Sequence, residues 1–178
     1  MKKLIVATAL GLVAVGAMAQ GQFTFANKNL NTTPQIDAKV FSETGAPLAG
    51  TAYWAQAYIK LAADPESSYA AVGAAVNFRT GTAAGYIVPV VITTTYPNNT
   101  AVTVQMRAWD STAGNSFAAA QATGKGYGQS TGIELKVAEA PTPPADMIGL
   151  GSFSLVPEPS TLALGVLGAA ALFLRRRS

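Results

Sequence analysis

The 178-residue sequence contains no cysteine and no histidine. The first absence excludes a thiol nucleophile and any disulfide staple, and the second removes the commonest general base and metal ligand. Ser-His-Asp catalysis, the usual zinc sites and haem-attachment motifs are therefore excluded. Charge is scarce as well. Only 12 % of the residues are Asp, Glu, Lys or Arg, against roughly 25 % in an average soluble protein. Part of that scarcity lies in two uncharged runs, one at each end of the chain.

At the N-terminus, Lys2 and Lys3 precede an apolar stretch from Leu4 to Val15, and Ala17-Met18-Ala19 then supplies a small-x-small exit. Charged start, short apolar middle and small-residue exit, in that order, predict a helical Sec signal peptide over residues 1–19, cut by signal peptidase between Ala19 and Gln20. At the other end no charge occurs from Thr161 to Leu174. As a helix that run spans about 21 Å, less than the roughly 30 Å hydrocarbon core. It becomes a transmembrane helix by drawing in Ser160 and Pro159 while Arg175, Arg176 and Arg177 snorkel to the far headgroups. No polar stripe interrupts Leu162 to Leu174, as a soluble amphipathic helix would require. The arginines act as a membrane stop and stay cytoplasmic, so the exported body is predicted on the opposite side of the inner membrane.

The tail has three parts: Val156-Pro157-Glu158-Pro159-Ser160-Thr161, a short helix of Ala, Gly and Leu, and the arginine cluster. That arrangement resembles the PEP-CTERM sorting signal of Gram-negative bacteria. The resemblance covers residues 156–178 and implies recognition by an exosortase, removal of the tail near the triplet, and delivery to the cell surface or the exopolysaccharide matrix. The residues themselves give a physical reason for the motif. Two prolines hold the chain extended, disfavour helix at Val156 and Glu158, and remove two backbone donors, so the strip cannot join a neighbouring sheet. Glu158, its one charge, is a candidate handle for a basic group on the processing enzyme.

Between the two ends, residues 20–155 form one predicted domain. It carries seven basic and eight acidic side chains, a net charge of −1. The basic pI of the whole chain thus comes from its ends and gives no reason to expect a nucleic-acid partner. The segment Thr51–Lys60 places Tyr53, Ala55, Ala57 and Ile59 on one face and Trp54, Gln56, Tyr58 and Lys60 on the other. Thr100–Asp110 repeats the pattern, with Val102, Val104, Met106 and Ala108 opposite Thr103, Gln105, Arg107 and Trp109. Phe23–Ala26, Ile36–Phe41, Val72–Phe78, Tyr86–Thr95, Gly132–Ala138 and Met147–Val156 are further strand candidates, with Pro89 expected at an edge or a bulge. The fold class expected is all-β: an antiparallel β-sandwich of about eight strands, immunoglobulin-like or jelly-roll-like. One short helix is predicted within Asn115–Thr123, with Asn115 or Ser116 as cap and Gly124 as stop.

No catalytic residue, metal site or cofactor is predicted. No two carboxylates are marked as facing across a cleft for glycoside hydrolysis. Asp110–Asn115 lacks the spacing of a calcium loop, and Thr123–Gln129 lacks that of a phosphate loop. The candidate binding face is Trp54, Tyr58, Gln105, Arg107 and Trp109, with Gln56 beside them: flat rings and planar donors suited to sugars. The alternative is ordinary packing of aromatic residues between strands. The expectation is a non-catalytic surface or extracellular-matrix protein whose partners are signal peptidase, exosortase and, transiently, the inner membrane. The alternative is a carbohydrate-binding module whose partner is exopolysaccharide.

Overall fold

The computed structural model describes residues 20–156. The predicted signal peptide, with Ala17 and Ala19, lies outside the described residues, as do Pro157 to Thr161, the predicted transmembrane helix and Arg175 to Arg177. In chain order the strands are β1 (Gln20–Phe25), β2 (Lys28–Asn29), β3 (Ile36–Asp37), β4 (Val40–Phe41), β5 (Gly50–Leu61), β6 (Ala70–Phe78), β7 (Val90–Pro97), β8 (Ala101–Asp110), β9 (Tyr127–Gln129), β10 (Ile133–Lys136), β11 (Ala145–Asp146) and β12 (Phe153–Ser154). Helix α1 (Phe117–Thr123) lies between β8 and β9.

The two segments with the clearest period-two alternation pair with each other. β5 and β8 run antiparallel from Tyr53 opposite Asp110 to Leu61 opposite Val102. They are the centre of a five-stranded sheet in which β6 borders β5, while β9 and β10 share the far edge of β8. A three-stranded sheet has the order β11-β1-β7. One apolar core draws on both sheets. It takes Ala55, Ala57, Ile59, Val102, Val104, Met106 and Ala108 from the first, and Phe23, Phe25 and Ile92 from the second. Alanines on the middle strands leave volume for the two phenylalanines, both fully buried. The chain passes from β7 to β8, and so from one sheet to the other, through a turn at Asn98–Thr100. Asn99 adopts φ 64° there, a left-handed conformation that Asn tolerates.

The body is mostly β, as its alternation predicts, but the pairing is not uniformly antiparallel. β11 pairs parallel with β1, and β12 parallel with β4. The stretch Ile36–Phe41, expected as one strand, is divided because its backbone changes partner: the Ala38 N–H donates to Asn27 O, and the Val40 N–H to Gly85 O. Met147–Val156, expected as a final strand, forms one only at Phe153–Ser154. Met147 and Leu150 reach the core from tight turns instead. β7 begins just after Pro89 and takes a sheet edge, where a missing donor is tolerated. The predicted helix forms over Phe117–Thr123. The Ser116 hydroxyl accepts from the Ala119 N–H, and Gly124 closes the helix at φ 76°. Among the described residues no helix is long and apolar enough to cross a membrane.

Candidate functional site

The register of β5 on β8 brings the sequence-predicted face together. Trp54 lies opposite Trp109, Gln56 opposite Arg107, Tyr58 opposite Gln105 and Lys60 opposite Thr103. β9 extends two of these rows, placing Tyr127 beside Trp109 and Gln129 beside Arg107. All lie on the sheet face away from the main core, because strand side chains alternate.

One half of this face is closed. Helix α1 packs over it through Phe117 and Ala120, forming a second apolar cluster with Trp109 and Ala113. Trp54, Tyr58 and Tyr127 sit at its margin. The Phe117 ring lies 5.8 Å from those of Tyr58 and Tyr127. Trp109 is 1 % exposed and Gln105 4 %. The Trp109 indole therefore presents no ring face to a ligand, and Gln105 serves a neighbour. Trp54, Gln56, Tyr58 and Arg107 are half-buried, and Gln129 is exposed.

Arg107 is the organising charge of the open half. Its guanidinium carbon stands 4.2 Å from the Tyr58 ring centroid, 5.0 Å from Phe117 and 5.2 Å from Tyr69. Nε and Nη2 both donate to Gln105 Oε1, at 3.2 and 3.0 Å. Burial draws the Arg107 pKa below its ordinary value, and the same cause raises those of Tyr58 and Tyr69. Lys60, only 6 % exposed, donates to Asp64 O at 2.7 Å and lies 3.7 Å from Glu66. Among the described residues Arg107 forms no ion pair. Two polar atoms on this face, Trp109 Nε1 and Tyr69 Oη, are buried without a hydrogen-bond partner.

Tyr69, Phe117 and Gln129 belong to the site but were not legible as such. Gln129 closes the glycine-rich stretch Thr123–Gln129, and its membership depends on β9 finding β8. Tyr69 precedes β6, and its hydroxyl lies where a Cβ on Gly132 would come within 2.6 Å.

A separate polar cleft of about 210 Å³ opens where β4, β5, β8 and β9 end, lined by Glu43, Tyr53, Asp110, Thr112, Lys125 and Leu155 among others. Its two carboxylates tie loops: Glu43 Oε1 accepts from the Gly126 N–H at 3.0 Å, and Asp110 Oδ1 from the Thr112 N–H and hydroxyl at 2.7 Å. Burial raises the Tyr53 pKa, and the charges of Asp110 and Glu43 raise it further. Among the described residues no group of three His, Cys, Asp or Glu side chains is placed to hold a metal ion.

The chain leaves the body beside that cleft. The Val156 N–H donates to Tyr127 O at 2.7 Å, and the Gly126 N–H to Val156 O at 3.3 Å. Val156, first residue of the sorting motif, is thus held to the body by backbone hydrogen bonds on both sides of its peptide.

Residues 155–177 match the family model of the PEP-CTERM protein-sorting motif. The motif indicates an exported, exosortase-processed protein sorted in association with the membrane. No curated protein and no solved structure matches the chain.

Proposed function

We propose that this chain is a non-catalytic surface or extracellular-matrix protein whose body, residues 20–155, is presented by its C-terminal signal. In this reading signal peptidase removes residues 1–19. The apolar tail then holds the body on the periplasmic side of the inner membrane, and exosortase cuts near Pro157-Glu158-Pro159. The body goes on to the cell surface or the matrix. The observation that carries the reading is the sorting-motif match over residues 155–177, which begins at the end of the described body. A body without cysteine or histidine, whose cleft carboxylates are engaged in tying loops, supports a binding or structural role over a catalytic one. We read its two larger sheets, which share one core, as the layers of a β-sandwich.

The direct test is deletion of residues 157–178 in a host with an exosortase. The truncated body is expected to accumulate in the periplasm while the full chain reaches the surface. Equal surface delivery of both would overturn the proposal.

A second reading, binding of a saccharide, is favoured by the open half of the β5–β8 face. There Gln56, Arg107 and Gln129 form one cross-strand row of planar donors beside the Tyr58 ring. Trp109 contributes to that face as packing. Loss of polysaccharide binding in Tyr58→Ala, with binding kept in Trp109→Phe, is the expected pattern. Unchanged binding in Tyr58→Ala would contradict it.

A further inference from the structure

The Arg107 row has a property that neutral sugar recognition does not require. Its guanidinium is half-buried, ringed by Tyr58, Phe117 and Tyr69, and without a carboxylate partner among the described residues. A charge drawn out of water is costly unless it is paired. Of the other cations of this face, Lys60 has Glu66 at 3.7 Å, and Lys136 is exposed on β10 beside Ala101, three rows from Arg107. The second acid on the face, Glu134, stands beside Thr103, two rows along the sheet from Arg107. Glu66 pairs with Lys60 and lies close enough to act on the Arg107 charge as well, but it forms no ion pair with it, so the guanidinium of the Gln56–Arg107–Gln129 row carries no salt bridge among the described residues.

Orientation is also provided. Gln105, itself 4 % exposed, accepts from Nε and Nη2 and fixes the plane of the fork, while stacked rings hold its faces. Further guanidinium N–H groups remain to meet an incoming anion. The flanking Gln56 and Gln129 amides can donate to hydroxyls on either side of that anion. The Gln56 amide already donates one N–H to Gly73 O at 2.8 Å, which holds it in place. Tyr69 Oη, which borders the Arg107 guanidinium, is buried without a hydrogen-bond partner among the described residues, a costly state for a hydroxyl. Packing alone gives no reason for a half-buried guanidinium with no ion pair among the described residues beside an unpartnered tyrosine hydroxyl. A planar guanidinium fork matches a carboxylate through two parallel hydrogen bonds, and it does so more strongly where water is thinned by aromatic walls.

We propose that Arg107, flanked by Gln56 and Gln129 and floored by Tyr58, is an anion-accepting subsite for a carboxylate-bearing polysaccharide. This rests on the saccharide reading and specifies its ligand: a polymer of acidic sugars, whose carboxylate pairs with Arg107 while adjacent hydroxyls take the amides. A phosphate group would satisfy the same fork, so the experiment separates the two sources.

The full-length chain in detergent is titrated with polygalacturonate, with neutral dextran and with inorganic polyphosphate, and thermal melting reports the fold of each variant. Polygalacturonate is expected to bind more tightly than dextran, and more weakly as salt is raised. Arg107→Gln is expected to weaken it at least tenfold. Arg107→Lys, which keeps the charge but loses the fork, should weaken it less. Gln129→Glu, an exposed change that leaves the core untouched, places an internal carboxylate beside Arg107 and is expected to compete the polymer away even if the Arg107 variants melt early. Equal binding by wild type, Arg107→Gln and Gln129→Glu would overturn the subsite and leave the saccharide reading standing. Binding of polyphosphate alone would overturn the assignment to carboxylate. Binding of none of the three polymers would overturn the subsite together with the saccharide reading.

Discussion

Asn27 is fully buried, and its side chain ties its own strand end to two other stretches of backbone, at Ala38 and at Gly85–Ile87. Nδ2 donates to Ala38 O at 2.7 Å and to Gly85 O at 2.8 Å, while Oδ1 accepts from the Ile87 N–H at 3.0 Å. Asn27→Ala would leave Ala38 O and the Ile87 N–H without this partner, Gly85 O keeping the Val40 N–H, and is expected to cost about 2–3 kcal/mol, read as a lower denaturant midpoint. Asn27→Asp, equal in size but without donors, should be comparably damaging. Nothing in the sequence marks Asn27, because its partners lie 11 to 60 residues away and an Asn beside a strand reads as a turn former. Tyr86 gives a prediction in pH. Its hydroxyl donates to Asp37 Oδ1, and burial, followed by that hydrogen bond and the Asp37 charge, pushes its pKa up to about 12. The fold therefore favours the neutral phenol. That contribution is complete below the ordinary tyrosine pKa of about 10 and is lost as pH rises from there through 12. Wild type is expected to exceed Tyr86→Phe in stability at pH 8, and the gap should close between pH 10 and 12 in denaturant titrations. A gap independent of pH would contradict this account of Tyr86.

At the scale of elements, what was legible depended on length and periodicity. β5 and β8 are long, half-buried and alternating, so their existence and facing could be read directly; their mutual register brought Trp54, Gln56, Tyr58, Arg107 and Trp109 onto one face. Closure of half that face could not be read. The helix has only seven residues, and its docking through Phe117 is a long-range event with no local signature. The short parallel pairings of β11 and β12 escaped for a related reason: two-residue strands carry no period, and their partners lie more than a hundred residues earlier. β12 depends on a close approach at Gly128, where an added Cβ would lie 2.6 Å from Ser154 O and 3.2 Å from Leu155 Cα. Backbone cannot yield as a flexible side chain does. Gly128→Ala is expected to displace β12 from β9 and to raise amide exchange at Leu155 and Val156 at least tenfold, with smaller effects on β5. Unchanged exchange at those two amides would show that the close approach does not matter.

Across the whole molecule, the proposed division into address segments at the ends and a body between them has a counterpart in charge. The described body has a net charge of −1, whereas the full chain has +3. The last described residue, Val156, is pinned to Gly126 and Tyr127, and in the sequence the apolar run starts at Leu162. In the proposed scheme the five residues between Val156 and Leu162, if extended, would let the two stand at most roughly 20 Å apart, so an anchored body would sit close to the bilayer with Val156 toward it. As proposed, membrane anchorage, processing at the triplet and release would form one scheme with a single product. The most direct test is intact-mass measurement of the protein recovered from the cell surface. The account predicts a chain that begins at Gln20 and ends near Pro157-Glu158-Pro159; a surface protein still carrying Leu162 to Arg177 would contradict it.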